Sequence, residues 1–191
     1  MPQTLKIQPT KTPQISWVKY TLITLLAVVF TWLLHEFMHW LTGEALGNRM
    51  VMTINSGYPE SRHYVSAWHA TVVSAAGPIA TIVQAIVIYF LIKIRYSPIL
   101  FPFLLTCLYM RTMAGFFNFI NPNDEGRVGV DLGVGKFTLS ILVVAFLFYL
   151  TYKAVSNNGI SRKNVLITTL MVIFFSSALV LFDQAVKIII L

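Results

Sequence analysis

The sequence predicts an all-α polytopic membrane protein, with about five transmembrane helices and a small β-hairpin or re-entrant element after the first helix. Composition is the first reason: hydrophobic residues make up 57% of the chain, charged residues only 11%, and the mean hydropathy is +0.73. A soluble domain carries roughly a quarter charged residues. The second reason is that the long apolar runs can each cross a bilayer core of roughly 30 Å.

The first predicted helix runs from about Trp17 to Gly43 and has no charge between Tyr20 and Leu34. Residues 1–16 are polar and contain three prolines, which is typical of a flexible tail. Residues 44–67 mix polar and apolar positions that partly alternate, a pattern that favours the hairpin or re-entrant element.

The rest of the chain reads as four more apolar helices separated by polar connections. A loop rich in Gly, Asp and Asn covers residues 121–136, and a polar turn covers residues 156–164. The predicted helices span approximately Ala67–Ile94, Pro98–Phe119, Phe137–Val155 and Val165–Ile190. We therefore divide the chain into a tail (1–16), a membrane-embedded core that includes the fourth span (17–155), and a turn with the C-terminal transmembrane helix (156–191).

The net charge of +7 does not indicate a nucleic-acid partner. The basic residues are scattered along the termini and short loops, whereas a nucleic-acid interface concentrates them on one face. Their distribution fits contact with the lipid bilayer and favours a cytoplasmic N-terminus. Cys107 is the only cysteine, so the chain cannot form an internal disulfide.

The most informative motif is His35-Glu36-Phe37-Met38-His39, an H-E-x-x-H pattern inside an apolar run. Helical residues four apart lie on one face, so both imidazoles can bind one Zn²⁺ ion. The intervening Glu36 can then act as general base toward a zinc-bound water nucleophile. The alternative, two helix-end histidines with an intervening acid, is less favoured because an unpaired acid at membrane depth is costly.

A catalytic zinc site usually has a third protein ligand and one open position. His35 lies about 27 Å along the first helix from Trp17, so the motif is near the far side of the bilayer. Two crossings separate the loops 44–67 and 120–136, which places both on that side. The acids of the second loop are the candidate ligands: Asp124, Glu125 and Asp131.

Three motifs in order resemble the site-2 protease family of intramembrane zinc metalloproteases. They are the His35–His39 motif, Ala76-Gly77-Pro78 in the next span, and Asn121-Pro122-Asn123-Asp124-Glu125-Gly126-Arg127 before the fourth. The resemblance covers roughly residues 20–135 and implies a three-helix metalloprotease core. It also implies one zinc per chain, held by His35, His39 and Asp124, with Glu36 as catalytic base and a transmembrane protein as substrate.

The sequence departs from the family pattern at two positions. Glu125 replaces the first glycine of the family's Asp-Gly-Gly-Arg form, so Glu125 or Asp131 remains an alternative metal ligand. Thr81 stands where the family often has an asparagine that is a candidate oxyanion donor. Possible oxyanion or substrate contacts are therefore Thr81, Asn118 and Asn121, with Asn123 a further amide.

Arg111 is a charged residue in an apolar stretch, and it requires either an acidic partner, backbone carbonyls or access to an interface. Asp183, near the end of the last predicted span, is a possible partner.

The leading functional hypothesis is an intramembrane zinc metalloprotease that hydrolyses peptide bonds of membrane protein substrates. A helical substrate must be locally unwound, because its backbone groups bond internally in lipid. The edge of a strand within residues 50–56 is a candidate for pairing with the extended substrate. The alternative is a catalytically weak or inactive zinc-binding membrane protein that acts as a regulator or chaperone. A transporter is disfavoured because the chain shows no internal repeat.

Overall fold

The computed structural model describes residues 15–191, which form six helices and one two-stranded sheet. All but the last two residues of the predicted tail, 1–16, lie outside the described residues, and Ser16 is the N-cap of the first helix. The elements in chain order are α1 (Trp17–Ala45), β1 (Met50–Met52), β2 (Gly57–Pro59), α2 (Ala67–Ile94), α3 (Phe101–Phe117), α4 (Asp124–Asp131), α5 (Thr138–Asn157) and α6 (Arg162–Val186).

Four of these helices, α1, α2, α5 and α6, are long and apolar enough to cross a membrane. The mostly helical class is therefore confirmed, and the four long apolar helices are consistent with a multi-pass membrane protein, but the count of five long helices is wrong. The predicted third span is the 17-residue helix α3, which rises only about 25 Å. It begins late, after Ser97 and Pro98, and ends at Asn118. The predicted loop 121–136 contains a further short helix, α4.

The interior consists of two apolar clusters between the helices. The first joins α2, α3 and α5 and includes Ala85, Leu104 and Leu147, each with no exposed surface. The second joins α1, α3 and α6 through Val28, Met110 and Val172, among others. Small residues such as Ala85 let helix backbones approach closely, which is how helices associate where the surrounding lipid is as apolar as the side chains. These clusters fix α3 between the other helices.

The predicted hairpin is confirmed as an antiparallel pair of β1 and β2, with Val51 opposite Tyr58. It is attached to two long helices. The Trp32 indole N–H of α1 donates to Asn55 Oδ1 at 2.7 Å. The Asp183 carboxylate of α6 accepts bonds from Thr53 Oγ1 at 3.0 Å and from the Ile54 amide at 3.2 Å.

The last residues leave the helix that was predicted to continue to Ile190. Helix α6 ends at Val186, and Lys187 adopts a left-handed conformation with φ of 48°. The chain then runs beside β1: the Ile190 amide donates to Met52 O, and the Met52 amide donates to Leu191 O, both at 2.8 Å. The outer edge of β1 is thus occupied by this segment. The edge of the 50–56 strand that was the candidate for pairing with an extended substrate is therefore not free at Met52.

Candidate metal centre

Three buried side chains bring one ligand atom each to a common point. His35 and His39 lie one turn apart on α1, and Asp124 is the first residue of α4. His35 Nε2 lies 3.0 Å from His39 Nε2 and 3.1 Å from Asp124 Oδ2, and His39 Nε2 lies 3.6 Å from the same oxygen. This is the group within residues 15–191 that could hold a metal ion. The side chains singled out by the sequence are therefore brought together.

The outer nitrogens of both imidazoles are held by hydrogen bonds. His39 Nδ1 lies 2.6 Å from the Val73 carbonyl oxygen, which only accepts, so Nδ1 carries the proton. His35 Nδ1 lies 3.1 Å from Thr81 Oγ1, whose own hydroxyl donates to Gly77 O. The Thr81 oxygen therefore accepts from His35 Nδ1–H. Both Nε2 atoms are left with free lone pairs that face Asp124, the arrangement in which histidine binds metal.

Gly77 of the Ala76-Gly77-Pro78 motif allows α2 to touch the two rings. A Cβ atom at this position would collide with His35 Cε1 and His39 Nε2 and would lie 2.7 Å from His35 Nδ1. Any side chain here would displace the imidazoles. The motif therefore contributes close approach, and the next turn contributes the Thr81 hydroxyl that orients His35.

Asp124 is positioned by the turn before α4. The Asn123 side chain caps the helix by accepting a bond from the Asp124 amide at 2.9 Å. Asn118 has no exposed surface: its Oδ1 accepts from the Asn123 amide at 2.6 Å, and its Nδ2 donates to Ser140 Oγ at 2.8 Å. A Cβ at Gly126 would collide with the Asn118 amide. The Asn-Pro-Asn-Asp-Glu-Gly sequence thus forms a fixed turn that presents Asp124.

Two arginines hold the Asp124 carboxylate. Arg127 Nη2 lies 2.8 Å from Oδ1, and Arg111 Nη1 lies 3.4 Å from Oδ2. These two contacts with positive charge favour the ionised form of the buried carboxyl group, which is the form that a metal ligand requires.

Arg111 is almost fully buried and belongs to the centre. Besides Asp124, its Nη1 contacts Glu125 Oε1 at 3.2 Å, and its Nη2 lies 3.3 Å from His35 Nε2. The sequence suggested Asp183 as a possible partner of Arg111. This prediction is wrong, because the Asp183 carboxylate binds the hairpin. The sequence marked Arg111 as a buried charge in need of an acid, but the acids that pair with it lie beyond the intervening turn.

A cavity of about 630 Å³ opens beside this centre. Its walls come from α1, the hairpin, α2, α3, α4 and α6. Glu36 lies in the cavity wall and is buried, with 7% of its surface exposed. The cavity therefore joins a carboxylate to the imidazole pair, and its remaining lining includes Tyr58, Arg62, Arg111 and Arg127.

The other residues singled out from the sequence have different surroundings. The Glu125 carboxylate faces Arg111, and Asp131 accepts a bond from the Thr71 hydroxyl. Neither belongs to the group that could hold a metal ion. Asn121 is exposed, and the Asn118 amide is used within the turn.

No family model, no curated protein and no solved structure matches the chain.

Proposed function

We propose that this protein is an intramembrane zinc metalloprotease that hydrolyses peptide bonds of transmembrane protein substrates. The observation that carries the proposal is the convergence of His35 Nε2, His39 Nε2 and Asp124 Oδ2, with both imidazole N–H groups turned away. Three lone-pair-bearing atoms within 3.6 Å of one another repel, and a bound cation relieves this repulsion. Arg111 contacts two of the three, His35 Nε2 and Asp124 Oδ2, and leaves His39 Nε2 without a cation. Glu36 in the adjoining cavity adds a base.

Zinc fits this donor set. Zinc bound by nitrogen and oxygen at about 2.0–2.1 Å in tetrahedral geometry separates its ligand atoms by about 3.3–3.4 Å. The three separations here, 3.0, 3.1 and 3.6 Å, lie around that value. Two histidines and one carboxylate also leave a fourth position open, as catalytic zinc sites do. The order of the three sequence motifs supports the same assignment.

The chemistry divides between the metal and the chain. Zinc, when bound, acidifies a water molecule and polarises a carbonyl group. Glu36 accepts a proton from the attacking water as the new carbon–oxygen bond forms. The same carboxyl group then returns that proton to the leaving nitrogen as the peptide bond breaks. Glu36, His35 and His39 line the same cavity, which supports this role.

The fold provides for a membrane-embedded, locally unwound substrate. The centre lies on a helix long and apolar enough to span a membrane, and the cavity beside it is lined by polar groups that admit water. Residues 57–59, the whole of β2, line the same cavity. On the edge turned away from β1, Pro59 has no N–H and its carbonyl accepts from the Arg62 amide. The Gly57 amide and carbonyl are therefore the groups that could pair with an extended segment and replace some of its lost helical bonds.

The test uses a fluorogenic peptide of about 25 apolar residues with lysines at both ends and a Gly-Pro pair at its centre. We expect the purified, zinc-loaded protein to cleave this peptide in detergent or liposomes, and a chelator to stop cleavage. Glu36→Gln should retain the metal and lose at least about 10²-fold in rate, because the base is gone. Glu60→Gln, a matched change at an exposed position, should keep the parental rate. Cleavage by Glu36→Gln at the parental rate would contradict the mechanism.

A zinc-binding regulator or chaperone without hydrolytic activity is the second candidate. The observation on its side is that the Thr81 hydroxyl is engaged with His35 and Gly77, so it is not free to bind an oxyanion. That function predicts one bound zinc per chain and no cleavage of the peptide by the parent protein.

A further inference from the structure

We propose that Arg111 is a catalytic residue that binds the oxyanion formed on the substrate carbonyl. The inference rests on the proposed hydrolytic function. As water attacks, a carbon–oxygen bond forms and the carbonyl π electrons move onto oxygen; they return when the carbon–nitrogen bond breaks. A fixed positive donor beside that oxygen stabilises the intermediate. The guanidinium keeps its protons throughout.

The hydrogen-bond pattern of Arg111 leaves donors available. A guanidinium has five N–H groups. Nη1 contacts Asp124 and Glu125, and Nη2 lies against His35 Nε2. The Nε–H has no partner among residues 15–191 but is enclosed by protein atoms. The donor that can reach the cavity is therefore the second N–H of Nη2, which the contact with His35 does not use. A buried charged donor left unpaired is costly, and Arg111 lines the cavity next to the metal ligands. An anionic oxygen in the cavity would satisfy it.

The other candidate donors are occupied or distant. Thr81 binds His35 and Gly77, and the Asn118 amide is used inside the turn before α4. Asn121 is exposed. Arg127 also lines the cavity, but its side chain is 55% exposed and it binds the far oxygen of Asp124. Arg111 is therefore the buried cation that contacts the ligand atoms themselves.

Glu125 has a place in this arrangement. An arginine buried at this depth requires a neighbouring acid, and Asp124 already binds the imidazoles. The Glu125 carboxylate supplies the second negative charge at 3.2 Å and holds the guanidinium beside His35. Glu125, which stands where the site-2 protease pattern has a glycine, thus compensates the charge of Arg111.

The deciding variant is Arg111→Gln with Glu125→Gln, which replaces both charges by neutral groups and leaves no buried charge unpaired. With the fluorogenic peptide we expect kcat to fall about 10²–10³-fold with little change in KM. A phosphonamidate analogue of the peptide, which carries the charge of the intermediate, should lose affinity by the same factor as kcat/KM. Zinc affinity, measured against a chromophoric chelator, should stay equal or rise, because a cation beside the ligand nitrogen is removed.

Arg127→Gln is the matched control, because it also removes an arginine from Asp124. Arg127 is the closer partner of Asp124, at 2.8 Å, and does not contact the imidazoles, so its loss should release the carboxylate and weaken zinc binding. The affinities for the phosphonamidate and for the substrate should then change by the same factor. If the double variant behaves in this way too, or cleaves at the parental rate, Arg111 is not the oxyanion donor. If the double variant does not fold, Arg111→Lys is the deciding variant. An equal loss in kcat and in affinity for the phosphonamidate supports the role of Arg111, and parental values of both quantities overturn it. A zinc-loaded parent that cleaves nothing refutes the proposed function instead.

Discussion

A single methyl group at Gly77 should dismantle the metal centre. The added Cβ would lie 2.7 Å from His35 Nδ1, which falls 0.7 Å short of the 3.4 Å at which ordinary contact begins, and it would collide with His39 Nε2. Either α2 withdraws or the rings rotate, and both break the His35–Thr81 bond. Metal sites tolerate changes of about 0.2 Å in ligand position, and a 1 Å misplacement of reacting groups costs about 10²-fold in rate. We therefore expect Gly77→Ala to lose at least about 10²-fold in zinc affinity.

Gly115→Ala is the control, because a Cβ at that position of α3 meets only Ser140 Cβ at 3.5 Å. It should bind zinc normally and be more stable by about 0.5–1 kcal/mol, since alanine favours the helix. Zinc affinity from chelator competition, thermal unfolding of the apo protein and peptide cleavage are measured for both variants. Parental zinc affinity in Gly77→Ala would refute the close approach of α2 to the imidazoles, provided that the protein is folded.

Three further outcomes follow from the contacts around the centre. Thr81→Val should weaken zinc binding about 10–100-fold by removing the acceptor of His35 Nδ1–H, and Thr81→Ser should bind zinc as the parent does. Equal zinc affinities in the parent and both variants would exclude a role of the Thr81 hydroxyl in orienting His35. Asn118→Ala should lower the free energy of unfolding by about 1–3 kcal/mol, because the Asn123 amide loses its acceptor, and denaturation in detergent measures this loss. Asp183→Asn should speed hydrogen exchange at the Ile54 amide without changing the stoichiometry of zinc, and unchanged exchange would argue against the α6–hairpin contact.

The parts of the fold that the sequence predicted well are those determined by local pattern. Helices α1 and α2 begin where expected because long uncharged runs fix them, and the hairpin follows from its alternation and turn residues. Helix periodicity placed His35 and His39 on one face, and crossing parity narrowed the third ligand to the acids of the loop 120–136. The choice of Asp124 among those acids came from the resemblance to the site-2 protease pattern.

The features that were missed depend on contacts between distant segments. An eight-residue helix with two glycines has little stability of its own, so α4 exists because Asn118 and Arg111 hold it. The run Ile188–Leu191 is apolar enough to extend a membrane helix, yet its β-branched residues also suit an extended chain, and pairing with Met52 selects that form. Periodicity within one segment cannot distinguish these outcomes.

The buried charged residues around the cavity can be explained by the sum of their charges. Glu36, Asp124 and Glu125 are acidic and Arg111 is basic, all with less than 9% of their surface exposed, which leaves a net charge of minus two when all are ionised. Such an excess is costly in a low-dielectric interior. The half-exposed Arg127 offsets part of this charge at Asp124, and a divalent cation bound by His35, His39 and Asp124 would neutralise the remainder. The Arg111–Glu125 pair adds no net charge to this balance. Its position beside the metal ligands is therefore better explained by the N–H groups that the guanidinium can donate than by its charge.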